Sequence, residues 1–122
     1  MLIPPHLPGH RTARERFDAT VTDAAAQLIE RYPRRLQHLR VLVQEIPTTD
    51  PAPWEEHAAV LGRALPGTRD NPPRVVLHRL PIQTRCPRGE GLEILIRQVL
   101  AEQVGSLLGI AAEDVDPGAW EE

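Results

Sequence analysis

Lysine is absent from this sequence: all fourteen basic residues are arginine. That absence excludes a Schiff-base lysine and the lysine of a phosphate-binding loop. Aromatic residues are nearly absent too, limited to Phe17, Tyr32, Trp54 and Trp120. The core must therefore be aliphatic, and no platform exists on which nucleic-acid bases could stack. A single cysteine, Cys86, excludes an internal disulfide and fits a reducing cytoplasm. No apolar run approaches the roughly 20 residues needed to cross a bilayer. The start of the chain, with Pro4, Pro5 and Pro8 and no leading positive charge, does not read as a signal peptide. The expectation is a soluble, cytoplasmic protein with no membrane attachment.

A chain of 122 residues supports one domain with a modest core. Its net charge of −3 is unevenly spread. Arg11, Arg14, Arg16, Arg31, Arg34, Arg35 and Arg40 crowd the first third, whereas from Ala101 onward every charged residue is acidic. A basic segment can mark a nucleic-acid surface. Here Glu15, Asp18, Asp23 and Glu30 are interleaved with the arginines, so a solvated helix face is the better reading, and nucleic acid is not expected as a partner.

The chain divides into a proline-rich arm (residues 1–11), an α+β domain (12–110) and an acidic tail (111–122). Thr12 is a candidate N-cap with Glu15 three residues on, the spacing of a capping box. Phe17, Val21, Ala24, Leu28 and Tyr32 then recur at helical spacing until Pro33. Residues 39–46, rich in branched side chains and ended by Pro47, read as a strand. Residues 60–65 form a second, short strand, and 74–80 a third that ends at Pro81. The longest periodic segment, 90–108, is a helix with Gly109 placed to cap its C-terminus. The tail is expected to hold no more than one turn of helix. The order is α-β-β-β-α, a small three-stranded sheet packed by two helices.

On a wheel of 3.6 residues per turn, Leu92, Leu95, Ile96, Val99 and Leu107 of the last helix share one face, with Leu100 at its edge. Gln103 falls in the middle of that face and Ser106 beside it. Polar side chains there need partners or a wet cleft, since an unpaired buried amide costs about 1–3 kcal/mol. The alternative is that this end of the helix runs past the sheet and leaves Gln103 half exposed.

The Phe17-Asp18 start of the first helix, the Arg79-Leu80-Pro81-Ile82 strand end and the closing run Gln103-Val104-Gly105-Ser106-Leu107-Leu108-Gly109-Ile110 resemble the small zincin-like metallopeptidases of bacteria. The resemblance spans nearly all of the chain beyond its arm and implies a minimal zincin-like α+β fold. Typical members carry H-E-x-x-H-x-x-G on the last helix. Anchored on Gly109 and Ile110, the resemblance puts the first zinc-ligand histidine at Glu102, the catalytic glutamate at Gln103, the second histidine at Ser106 and the third ligand at Ala112. Zinc is the cofactor the family implies, yet its ligands are absent here, so no cofactor is expected. A catalytic zinc wants three protein ligands and a carboxylate base for its water. Serine is a poor ligand and an amide is no base at neutral pH, so ligands and base are lost together.

Other residues offer little rescue. His6 and His10 have helical spacing, but Pro8 and Gly9 lie between them. His78 sits on the third strand, where it could face the last helix. Cys86 lies near a helix start, without a neighbouring histidine. Glu45 with Glu56, or Asp114 with Asp116, have no spacing that favours acid–base work over solvated charge. The outer side of the last helix carries Ile94, Ala101, Val104 and Leu108, which read either as a partner-binding face or as a surface covered by the tail and Trp120. The expectation is a non-catalytic metallopeptidase-family protein that binds a protein or peptide partner, or a second copy of itself. The alternative is an active metal-dependent hydrolase with a non-standard site built on Glu102, Asp114 or Asp116 and a histidine from elsewhere in the chain.

Overall fold

The computed structural model describes residues 12–46 and 61–121. The expectations for the arm, for Glu56 and for Val60 lie outside the described residues.

Helix α1, Ala13–Arg31, starts where Thr12 Oγ1 accepts the Glu15 N–H at 3.1 Å. The reciprocal half of the capping box is altered, because the Glu15 carboxylate takes the Thr12 hydroxyl at 3.1 Å rather than its backbone N–H. Phe17, Val21, Ala24, Ala25 and Leu28 form the buried stripe of α1, and Leu36 fills the turn that follows Pro33. The strands are β1 (Arg40–Gln44), β2 (Gly62–Leu65) and β3 (Arg74–His78). They form one mixed sheet in the order β1-β3-β2, with β1 parallel and β2 antiparallel to the central strand. The central position explains why β3 is the most apolar and most buried of the three. Its Val75 and Leu77 point into the core shared with Phe17, Ile96 and Leu100. The expected α+β architecture is thus the observed one.

Two expectations are corrected. The run Arg79-Leu80-Pro81-Ile82 is not a strand end but the first turn of a helix, α2, Arg79–Arg85. Pro81 is its third residue, and the N–H groups of a first turn have no intrahelical acceptor to lose. The turn is held by Arg79, whose guanidinium binds both carboxylate oxygens of Glu45 and donates to Gln83 Oε1 at 2.7 Å. Ile82, behind it, is fully buried. Cys86 accordingly lies at the end of α2 and not at the start of the next helix.

The long helix, α3, spans Leu92–Leu108 and is stopped by Gly109 at φ 74°, where the N–H groups of Gly109 and Ile110 both reach the Gly105 carbonyl. Beyond it the tail makes two turns, α4 (Ala112–Val115) and a 3₁₀ turn (Pro117–Trp120), where at most one was expected. Val115 and Ala119 are buried. Arg97 clamps Asp116 with two bonds, Nε–Oδ2 at 3.0 Å and Nη2–Oδ1 at 2.8 Å, and Gln98 donates to the Ala119 carbonyl at 2.8 Å. From the other side Arg31 donates to the Val115 carbonyl at 3.2 Å. The acidic tail is therefore a packed layer over α3.

Candidate functional site

Helix α3 runs between the sheet and the tail, and this sandwich decides where each candidate residue points. Its fully buried residues are Ile96, Leu100, Ala101 and Val104. Ala101 and Val104 therefore do not belong to an exposed partner-binding face: the tail covers them. Leu108 is half-buried, and of the four residues on that side only Ile94 is exposed. The reason lies in sequence-distant contacts, since Val115 and Ala119 bury the side of the helix that the wheel leaves unmatched.

Gln103 is buried, at 8 % exposure, rather than half exposed at the sheet's end. Its position depends on Gly62 of β2. A Cβ at Gly62 would lie 3.4 Å from Gln103 Cγ and 3.0 Å from Val99 Cγ1, so glycine lets the helix settle on the strand. Glu102 and Ser106, one turn apart, are exposed. Ala112 is half-buried beside the same turn, with its amide nitrogen 3.5 Å from where a Gly105 Cβ would stand. Glu102 and Ser106 thus stand on the outer side of the turn, with Gln103 on the side that meets Gly62 and Ala112 on the side of Gly105.

The electrostatics of that turn are unfavourable to an anion. The Glu102 carboxyl is pushed above its ordinary range, first by burial and then by repulsion from Glu113, with Arg85 opposing. Because its folded pKa lies above its unfolded one, ionisation weakens the fold as pH rises through the carboxylate range. Glu102→Gln is expected to stabilise the protein at pH 7 by roughly 0.5 kcal/mol, a figure discounted for solvent screening. The gain should vanish below about pH 4, where the side chain is protonated in both states; thermal melts at pH 7 and pH 3.5 check this.

The remaining sequence candidates are not brought to this turn. His78 is buried at the end of β3, and strand alternation puts it on the sheet face opposite Val75 and Leu77, away from α3. Glu45 is bound by Arg79 and, at 2.7 Å, by Arg14. Its pKa is lowered to about 2, chiefly by the Arg79 hydrogen bonds, so it is no general base near neutrality. Asp116 is committed to Arg97, whereas Asp114 is exposed. Sequence reasoning missed the Glu45–Arg79 and Arg97–Asp116 pairs, whose partners stand 34 and 19 residues apart with no pattern to connect them.

A zinc ion does not fit the turn. Glu102, Ser106, Ala112 and Gln103 offer one discouraged carboxylate, one hydroxyl, one methyl and one amide, where a tetrahedral site needs imidazole, thiolate or several carboxylates. Among the described residues no group of three or more His, Cys, Asp or Glu stands close enough to hold a metal. Among the described residues, too, no helix is long and apolar enough to cross a membrane.

The family model of zincin-like metallopeptidases matches residues 36–120, from the turn after α1 through all three strands and α3 to the final 3₁₀ turn. Among curated proteins no match was found. The matched segment covers well over half of the chain and includes the helix, the sheet and the tail that packs on them. This chain belongs to the zincin-like metallopeptidase family.

Proposed function

We propose that this protein is a member of its family in which the turn 102–106 occupies the place of the zinc motif without its chemistry, and that it works by binding a protein or peptide segment. The observation that carries the reading is the seat of Gln103 on Gly62. It is the position from which a glutamate would take a proton from metal-bound water, and it holds an amide, which has no basicity at neutral pH. The neighbouring positions fail together: Glu102 is a lone carboxylate where the motif has an imidazole, and Ser106 and Ala112 supply no strong ligand.

The binding half of the proposal rests on what lies beside the turn. The strand beside Gln103, β2, is the outer strand of the sheet on that side, and an extended segment can add to such an edge through backbone hydrogen bonds, with no metal involved. The test is an array of extended peptides offered with and without zinc. The expected result is saturable binding, competed by unlabelled peptide, without cleavage in either condition. Cleavage that needs zinc and disappears on chelation would overturn the reading.

A further inference from the structure

The opposite edge of the sheet, β1, has a different character. Arg40 donates its N–H to the Pro73 carbonyl at 3.0 Å, and the parallel register Arg40↔Arg74, Leu42↔Val76, Gln44↔His78 then turns the backbone groups of Leu42 and Gln44 towards β3. The N–H and C=O groups of Val41 and Val43 are left pointing outward, and no strand lies beyond them among the described residues. The middle of this edge, Val41-Leu42-Val43, contains neither a charge nor a proline, the usual devices that keep an open edge from pairing. Of the four exposed large apolar side chains among the described residues, Leu42, Ile46 and Leu80 gather here, with Leu80 tied to β1 through the Glu45 carbonyl at 3.0 Å.

We infer that β1 is a homodimer interface, in which two copies pair antiparallel about a two-fold axis through Leu42 to make one continuous six-stranded sheet. This edge is self-complementary about such an axis. An axis at Leu42 sets Val41 opposite Val43 of the second copy. These are the residues whose outward N–H and C=O groups are available, and each such pair exchanges two hydrogen bonds, four in all. Leu42 then meets its own symmetry mate in a non-hydrogen-bonded pair, where side chains approach most closely, about 4.5 Å between Cα atoms. Arg40 falls opposite Gln44, so no like charges oppose each other. A dyad on Val41 or Val43 keeps the backbone phase but sets Val43 opposite Leu39, whose N–H is already given to the Leu36 carbonyl, or Val41 opposite Glu45, whose carbonyl already accepts the Leu80 N–H, so the register centred on Leu42 completes the most hydrogen bonds. The inference names a second copy as a partner and is independent of whether the turn at Gln103 is catalytic.

Sedimentation equilibrium over a concentration series tests it, together with two variants. Wild-type protein is expected to dimerise. Leu42→Lys puts two ammonium groups on the axis at a position 42 % exposed in the single chain, and should weaken the dimer at least tenfold while leaving the thermal melt of the monomer unchanged. In a Cys86→Ser background, Leu42→Cys should cross-link quickly and nearly completely under mild oxidation, and Gln44→Cys, which faces Arg40, should not. Wild-type protein that stays monomeric at 100-fold dilution and at the highest soluble concentration alike overturns the inference. So does a dimer that Leu42→Lys leaves intact, or equal cross-linking through positions 42 and 44.

Discussion

Combining Glu102→His, Gln103→Glu, Ser106→His and Ala112→Asp is expected to create a zinc site where the native side chains offer no imidazole. The gain should be on the order of a thousandfold or more in affinity, because two imidazoles one helical turn apart and a carboxylate complete the three-ligand set of a catalytic zinc. The structure makes this a fair trial. Positions 102 and 106 face outward with room for imidazoles, and position 112 starts the turn that packs against Gly105. A glutamate at position 103 would inherit a buried seat on Gly62, and burial raises a carboxyl pKa towards the range of a useful base. Zinc binding can be followed by calorimetry, with folding checked by circular dichroism. A variant that folds but takes up no zinc would place the family's motif elsewhere on this chain and remove the basis of the proposed function.

The second large effect concerns the tail. Ending the chain after Ile110 should abolish cooperative unfolding, or lower stability by about 5 kcal/mol, a loss comparable to the whole stability of a small domain. Truncation removes the buried side chains of Val115 and Ala119 and strips the cover from Ala101 and Val104. It also leaves Arg97 without its carboxylate. Asp116→Ala isolates the last contribution. The pair is largely shielded, at 22 % and 12 % side-chain exposure, so losing one partner should cost about 2 kcal/mol, below the 3–5 kcal/mol typical of a fully buried pair. Denaturant melts of both variants distinguish a structural tail from a dispensable one: an unchanged midpoint for the truncation would contradict the packing described here.

Much of the fold could be read from the chain because local rules and tertiary packing agree along α1, β1, β3 and α3. Thr12, Pro33 and Gly109 mark boundaries where the structure has them, and the Phe17-to-Leu28 stripe is the buried one. Helix α2 escaped because Pro81 looks like a terminator, whereas three residues into a helix it costs no hydrogen bond. The tail escaped for a different reason. Its acids suggest solvent, and nothing near Asp116 in sequence announces that Arg97 will meet it. For Ala101 and Val104 the sequence left two readings open, a partner face and a surface under the tail, and the burial of both selects the second. At the candidate site the chemistry of Gln103 and Ser106 was legible from residue type alone, but the burial of one and the exposure of the other were not, since Gly62 of a distant strand decides how closely the helix sits.

The most direct test of the central claim is equilibrium dialysis of the native chain against zinc, followed by metal analysis and repeated with Glu102→Ala and Ser106→Ala. The account predicts well under one equivalent retained at micromolar free zinc, and no difference between the variants and the native chain. One tightly held equivalent that either substitution releases would contradict it.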